Sequence, residues 1–178
     1  MRRVLLAVVA LSAMLVAACD DAGASPSTPP STAPAAAAGG ACQLLDFATV
    51  NAKLGLQLAV AAGASMDNSF TCVLEPPSGG YPDLVLAITT TTIAADVFTT
   101  TIQPSGAQAV PGLGAVAYQL QTPPADKSGP GVQIGWLAGN KRIITLSLHL
   151  PAGTADDKAA ASGPKMVELA KLIDLSSL

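Results

Sequence analysis

Apolar positions along the C-terminal part of the chain change their spacing several times, and each change marks a boundary between a helix and a strand. After Asp46, a suitable N-cap, the residues Phe47, Val50 and Leu54 recur at helical spacing, and Gly55 predicts where this first helix ends. Alternating apolar residues then predict two groups of three strands: 58–60, 70–75 and 84–88, followed by 116–120, 132–138 and 143–150. A second helix, starting at Thr92 and pointing Ile93, Val97 and Ile102 the same way, separates the two groups.

Two local signals complete the pattern. Gly139 and Asn140 predict a tight hairpin turn between the last two strands. A terminal helix carries Met166, Leu169, Ala170 and Ile173 on one stripe, and Pro164 either lies in its first turn or kinks a longer helix that begins near Thr154. The predicted order is α-β-β-β-α-β-β-β-α. Consecutive hairpin-like strands favour an α+β fold, a mainly antiparallel sheet with helices packed on one side.

The N-terminus carries an export signal. Arg2 and Arg3 precede an apolar run, 4–18, which is shorter than the roughly 20 residues of a membrane-spanning helix and matches the core of a signal peptide. The run closes with Val16-Ala17-Ala18-Cys19, a lipobox, which predicts cleavage before Cys19 and a diacylglyceryl group on its thiol. The alternative is an ordinary secretory signal with an incidental cysteine.

The residues after the lipobox differ in composition from the rest of the chain. Residues 19–40 are rich in Ala, Ser, Thr, Pro and Gly and have no periodic apolar pattern, so they predict a disordered tether. Its mean reach is on the order of 25 Å. The sequence therefore predicts three parts of the chain: a signal peptide at 1–18, a lipidated tether at 19–40 and a single globular domain at 41–178.

The chain has three cysteines, and the lipobox accounts for one of them. In an oxidising compartment we expect Cys42 and Cys72 to form a disulfide. Two buried free thiols are the alternative. A metal site is a weaker interpretation, because there is no second cysteine pair and only one histidine.

Composition and motifs limit the chemistry. Charged residues make up 12% of the chain and its formal charge is −3, which argues against nucleic acid as a partner. The only histidine, His149, is predicted on the polar face of its strand, and no Gly-x-Ser-x-Gly elbow, zinc motif or nucleotide-binding loop accompanies it. Pairs of carboxylates can hydrolyse sugars, but each carboxylate of this kind is predicted to face solvent or to start a helix: Glu75, Asp83, Asp96, Asp156 and Asp157. Trp136 is expected in the core. We therefore predict no catalytic residue, no metal and no cofactor.

The chain resembles an uncharacterised family of actinobacterial envelope lipoproteins. The resemblance is carried by the lipobox and tether, by Ala41-Cys42-Gln43-Leu44-Leu45 before a short helix, by Cys72, and by Val110-Pro111-Gly112-Leu113-Gly114 before a strand. Leu74 departs from the family, whose members often have Trp two residues after the second cysteine. A looser similarity is to extracellular sensor domains of mycobacterial receptor kinases. The resemblance implies location and fold, and it transfers no catalytic residues.

We therefore expect a lipoprotein on the extracytoplasmic face of the cell membrane, where it acts as a non-catalytic binding or accessory module. Its expected partners are the membrane, through the lipid anchor, and an envelope protein, glycan or lipid. One alternative is a carrier of lipid or another apolar ligand. Another is a hydrolase with an unrecognised site.

Overall fold

The computed structural model describes residues 33–177. The helices are α1 (Phe47–Leu54), α2 (Ala95–Val97), which continues into a π-helical turn (Phe98–Ile102), and α3 (Asp156–Lys171), with short 3₁₀ turns at Ala35–Ala38, Gly40–Leu44 and Leu175–Ser177. The strands are β1 (Val60–Met66), β2 (Ser69–Glu75), β3 (Asp83–Thr90), β4 (Gln108–Ala109), β5 (Val116–Thr122), β6 (Ser128–Ala138) and β7 (Arg142–Pro151). None of the helices in this part of the chain has the length and apolar character needed to cross a membrane.

All strands belong to one antiparallel sheet in the order β1-β2-β3-β7-β6-β5-β4. This arrangement confirms the predicted α+β fold and the predicted order of its main elements. The sequence pattern does not predict β4, a strand of two residues at one edge of the sheet. β7 lies between β3 and β6, so the last strand of the chain joins the two predicted groups of strands.

Alternation along the strands gives the sheet two different faces. One face, which we call the helix face, packs against α1 and α3 and contains the main core. Its fully buried side chains include Leu86 on β3, Ile134 on β6 and Leu146 on β7, which lie side by side in the strand register. Trp136 belongs to the same core and is 3% exposed, as expected from the sequence. We call the other side of the sheet the open face.

The second helix covers one end of the open face, so the predicted packing of the helices on one side of the sheet is correct for α1 and α3 and wrong for α2. Phe98, in the π-helical turn, is fully buried against Tyr118 and Leu137, which alternate with helix-face residues on their strands. The predicted apolar stripe was wrong here, because Val97 and Ile102 are 39% and 38% exposed. A π-helical turn has a wider spacing than the 3.6-residue period assumed from the sequence, so a different residue faces the sheet.

Three local predictions can be compared with the structure. Asp46 caps α1 by accepting a hydrogen bond from the Thr49 backbone N–H at 2.8 Å, and Gly55 ends the helix in the left-handed conformation, as predicted. The turn between β6 and β7 is longer than predicted. Ala138 pairs with Arg142, which leaves a loop of three residues, and the third of them, Lys141, has a positive φ. That arrangement is typical of three-residue hairpin loops. Pro164 lies inside α3, so the longer of the two predicted helices is the one that forms.

The N-terminal segment of the described residues, 33–42, crosses the helix face over β1 and β2. A Cβ on Gly63 would lie 2.6 Å from the Ala38 carbonyl oxygen and closer still to that of Gly39, so the two backbones touch. Ala35 is 2% exposed. The folded part therefore begins before Ala41, and the predicted disorder is wrong for the last residues of the tether, because small side chains let the backbone pack closely on the sheet.

Cys42 and Cys72 form a disulfide between this segment and β2, as predicted. Both residues are fully buried. The bond closes a loop with a sequence separation of 30 residues. In the chain-entropy model such a loop destabilises the unfolded chain by about 3.5 kcal/mol. The disulfide therefore holds the N-terminal segment on the sheet.

Substitution of Gly63 tests the close approach of the N-terminal segment to β1. We expect Gly63→Ala to lower the free energy of unfolding by about 1–3 kcal/mol, because the new Cβ meets backbone atoms that have little freedom to move. Gly139→Ala is the matched control, since its Cβ would have no atom within 4 Å. Urea unfolding of both variants checks the difference, and equal stabilities would contradict the proposed contact.

Candidate functional site

His149 and Asp83 meet on the open face because β3 and β7 are antiparallel neighbours. The strand register places the two residues opposite each other. Their side chains are joined by a hydrogen bond of 2.7 Å between His149 Nδ1 and Asp83 Oδ1. The Asp83 side chain is 15% exposed, so the prediction that it faces solvent was wrong. Its partner on the neighbouring strand covers it.

The residues around this pair form a shallow pocket of about 250 Å³. The Tyr81 ring lies edge-to-face with the imidazole, with 6.5 Å between ring centroids and 87° between ring planes. Tyr81 is 37% exposed and lines the pocket with His149. The rest of the lining comes from the end of β5, from the loop that follows it and from the start of β6: Thr122, Pro123, Ala125, Asp126 and Ser128.

Two features of β6 shape the pocket. Gly131 pairs with His149, and a Cβ there would lie 2.7 Å from Thr122 Oγ1, so glycine keeps this side of the imidazole free of another side chain. The register of β6 shifts between Ser128 and Gly131, where Pro130 has no N–H to donate to the ladder. This irregularity ends the regular pairing beside the pocket, a common use of bulges.

The hydrogen bond that His149 Nδ1–H donates to the Asp83 carboxylate raises the pKa of His149, and this effect outweighs the opposing effect of partial burial. In the neutral ring, Nδ1–H donates to the carboxylate, which leaves Nε2 as an acceptor; in the protonated ring, Nε2 becomes a donor. Among residues 33–177, the Asp83 carboxylate is the only hydrogen-bond partner of this imidazole. His149 therefore has one ring nitrogen that can contact a ligand.

The pocket does not contain an assembled catalytic triad. A histidine that activates a nucleophile forms a hydrogen bond to that group. Ser128, which lines the same pocket, instead donates its hydroxyl hydrogen to the Ala125 carbonyl oxygen at 2.8 Å and is 9% exposed. The His149–Asp83 pair thus orients an imidazole without a hydroxyl bonded to it in the described part of the chain.

The other candidate residues lie apart from this pocket or outside the described residues. Asp156 and Asp157 are in the first turn of α3, where the helix dipole favours acidic side chains. Asp96 is exposed in α2, and Glu75 ends β2. Within the described range no group of three or more His, Cys, Asp or Glu side chains is placed to bind a metal. Cys19, the predicted lipidation site, lies outside the described residues.

A second concave surface lies on the opposite side of the sheet. It is a groove of about 290 Å³ formed where the start of α1 meets the end of α3. Its apolar lining comes from five leucine, isoleucine and valine positions beside Leu172, which is 54% exposed: Leu44, Leu45, Val50, Leu169 and Ile173. The groove provides apolar surface without a titratable group other than Asp46, which is engaged in capping α1.

The sequence pattern singles out His149 but does not predict which residues lie beside it. Asp83 and Tyr81 are far from His149 along the chain, and only the pairing of β3 with β7 brings them together. The available signal was that Asp83 and His149 each occupy a polar position on an alternating strand. Using that signal requires knowing which strands are neighbours.

The pKa of His149 is directly measurable because it is the only histidine in the chain. We expect its NMR titration to give a pKa above the ordinary value, and Asp83→Asn to bring that pKa down, because a neutral amide oxygen stabilises the protonated ring less than a carboxylate does. The pair stabilises the fold most at pH below the ordinary histidine pKa, and this contribution is lost as the pH rises through the raised pKa. It should be below about 1 kcal/mol, since solvent screens a histidine side chain that is 35% exposed.

Urea unfolding across this pH range checks the sign. The wild-type chain should lose stability relative to His149→Gln as the pH rises. An unshifted titration, or equal pH dependence in both proteins, would show that the pair is not formed in solution.

Comparison with known proteins identifies no relative of this chain. No protein-family model, no curated protein and no solved structure matches the chain. The candidate site is therefore defined by its own contacts: a carboxylate-oriented imidazole beside an exposed tyrosine ring, in a pocket at the end of the sheet.

Proposed function

We propose that this chain is a lipoprotein anchored through Cys19 to the extracytoplasmic face of the cell membrane, with a folded part that acts as a non-catalytic binding or accessory module. The export signal and lipobox support the anchor. The buried Cys42–Cys72 disulfide indicates an oxidising, extracytoplasmic compartment. The resemblance to actinobacterial envelope lipoproteins agrees with this location.

The binding role is argued from the orientation and hydrogen bonding of the His149 ring. Asp83 orients the ring through Nδ1, and no hydroxyl in the described residues is bonded to the imidazole. Such an arrangement presents a hydrogen-bonding nitrogen and an aromatic edge to a ligand without generating a nucleophile. The half-exposed Tyr81 supplies apolar contact area with few rotatable bonds, which suits recognition.

The pocket favours a polar group of modest size. Its volume is below the range typical of drug-sized ligand sites, and its walls combine hydroxyl, carboxylate and imidazole groups with one proline and one tyrosine. A sugar unit of an envelope glycan or a polar side chain of an envelope protein has this chemistry. We therefore place the partner among the envelope components that the lipid anchor brings within reach.

A second candidate function, transport of an apolar ligand, is favoured by the groove between α1 and α3. Its lining is mostly aliphatic and includes the exposed Leu172. A carrier predicts that lipid remains bound when the protein is extracted under native conditions. Native mass spectrometry distinguishes the two functions, because a module that binds through the His149 pocket has no need of retained lipid.

The anchor is tested by substitution of its cysteine. In a bacterial host that receives the full-length chain and an alkyne-bearing fatty acid, we expect the wild-type protein to carry the label and to fractionate with membranes. Cys19→Ser should lose both properties, because an acyl group requires the thiol. Cys42→Ser and Cys72→Ser together are the control, since they remove sulfur from the fold and leave the lipobox intact. Labelling that survives Cys19→Ser would overturn the proposed anchor.

The binding role is tested by capture from detergent-solubilised membranes. We expect the wild-type protein to retain an envelope component that Tyr81→Ala/His149→Gln releases, because the double change removes the aromatic edge and the orienting pair together. Leu172→Ala is the control for the groove, and selective loss with that variant would favour the carrier instead. Turnover of ester, glycan or peptide substrates that depends on His149 would contradict a non-catalytic role.

A further inference from the structure

The polar atoms of the His149 pocket that have no partner among residues 33–177 are mainly hydrogen-bond acceptors. In the neutral imidazole, Nδ1–H donates to Asp83, so Nε2 presents a lone pair. Asp126 lines the same pocket, and its exposed carboxylate has no hydrogen-bond or ion-pair partner in the described part of the chain. The hydroxyls of Tyr81 and Thr122 either donate or accept. A ligand that brings donors therefore complements this pocket.

Carboxylates approach the imidazole from three different elements. Asp83 at the start of β3 holds Nδ1. Glu75, the last residue of β2, lies beside Asp83 in the strand register and on the same face of the sheet. Asp126 stands in the turn before β6. The charge around the His149 ring is therefore negative on these sides, and it favours a positively charged ligand over an anion.

The remaining neighbours of the ring contribute no compensating positive charge. β5 and β6 place Thr122 and Gly131 beside His149, and both are uncharged. None of the described residues that line the pocket is a lysine or an arginine. Lys127 follows Asp126 in the turn, but it is exposed and lies outside the pocket lining. The site is thus built without a cation to attract a carboxylate or a phosphate.

The other walls of the pocket are apolar. Pro123 and Ala125 line it together with the Tyr81 ring, which is 37% exposed. An aromatic ring attracts a cation through its π electrons, and its apolar surface packs against methylene groups. A volume of about 250 Å³ suits one side chain rather than a large ligand. An ammonium group at the end of an aliphatic stem combines these properties.

We propose that the His149 pocket binds a lysine side chain presented by an envelope protein, whose ammonium group donates hydrogen bonds to Asp126 and to Nε2 of the neutral imidazole. This assignment rests on the proposed binding function and names the chemical group that the site recognises. An ammonium group has three N–H donors and no acceptor, which matches the acceptors of the pocket. An amino sugar also carries ammonium, but its ring hydroxyls need further partners, and the Ser128 hydroxyl already donates to Ala125.

The proposed contact makes binding depend on pH in a definite direction. Protonation of His149 converts Nε2 from an acceptor to a donor and places a positive charge beside the ligand. A lysine side chain stays protonated throughout this range. Binding should therefore weaken as the pH falls through the raised pKa of His149. By linkage, a bound ammonium group lowers the pKa of the imidazole, whereas a bound anion raises it.

NMR titration of the only histidine tests the proposal directly. The full-length chain is labelled with isotopes in histidine, purified in detergent micelles and titrated with Nα-acetyl-lysine N-methylamide. We expect this probe to bind at pH above the pKa of His149 and to lower that pKa. Nα-acetyl-norleucine N-methylamide is the matched control, because it has the same stem without the ammonium group, and it should leave the pKa unchanged.

Substitution of Asp126 tests the second contact. Asp126→Asn should weaken binding of the lysine probe about two- to fivefold, the range expected for an exposed charge pair. Asparagine tolerates the left-handed conformation at this position, where φ is 50°, so the variant should fold normally. Asp157→Asn is the control, since it removes the same charge from an exposed position at the start of α3 and should bind the probe like the wild-type chain.

Each other outcome rejects the assignment. A pKa of His149 that the lysine probe leaves unchanged or raises would overturn it, as would equal responses to the lysine and norleucine probes. A stronger response to glucosamine than to the lysine probe would overturn the choice of a protein side chain. Capture of an envelope component that depends on Tyr81 and His149, together with no response to the lysine probe, would reject the lysine assignment and leave the binding role intact.

Discussion

The pairing of β3 with β7 is the contact on which the rest of this structure depends. It joins the hairpin-connected strands β1, β2 and β3 to the meander of β5, β6 and β7. On the helix face it sets Leu86 beside Leu146 in the centre of the core, and on the open face it sets Asp83 beside His149. A slip of one residue in this register would reverse both faces at once, because side chains alternate with a period of two. Core packing and the candidate site are therefore fixed by the same hydrogen-bonded ladder.

The two faces of the sheet have different physical roles. The helix face is filled by aliphatic side chains from α1, α3 and the strands, and it excludes water. Among residues 33–177, Phe98 and its neighbours cover one end of the open face. Between that cluster and the His149 pocket, polar side chains connect to each other: the Tyr118 hydroxyl donates to Gln133 Oε1 at 2.9 Å, and Gln133 Nε2 donates to Ser147 Oγ at 3.3 Å. The half-buried polar groups on this face are satisfied by their neighbours, while Nε2 of the imidazole has no hydrogen-bond partner among the described residues.

Small side chains explain both how the N-terminal segment packs on the sheet and why the edge strand β1 beside it is flat. With few aromatics, the chain relies on alanine and glycine to bring backbones close together, as at Gly63 beneath Ala38 and Gly39. A segment without large apolar groups gains little from burial, and the Cys42–Cys72 disulfide supplies the constraint that burial does not. The small residues that admit this segment on one face of β1 also leave its outer edge flat and uncharged.

The sequence by itself determined the elements, because periodicity, caps and turn residues act within a few neighbouring positions. It was enough to locate α1 between Asp46 and Gly55, the main strands, the helix face of β7 and the cysteine pair. It failed at Phe98, where a π-helical turn changed the period, and at the end of the tether, where packing on the sheet ordered small residues. Only the tertiary structure decided that Asp83 and Tyr81 meet His149, because strand order depends on contacts between residues far apart in the chain. For the same reason it alone decided which strands lie at the edges of the sheet.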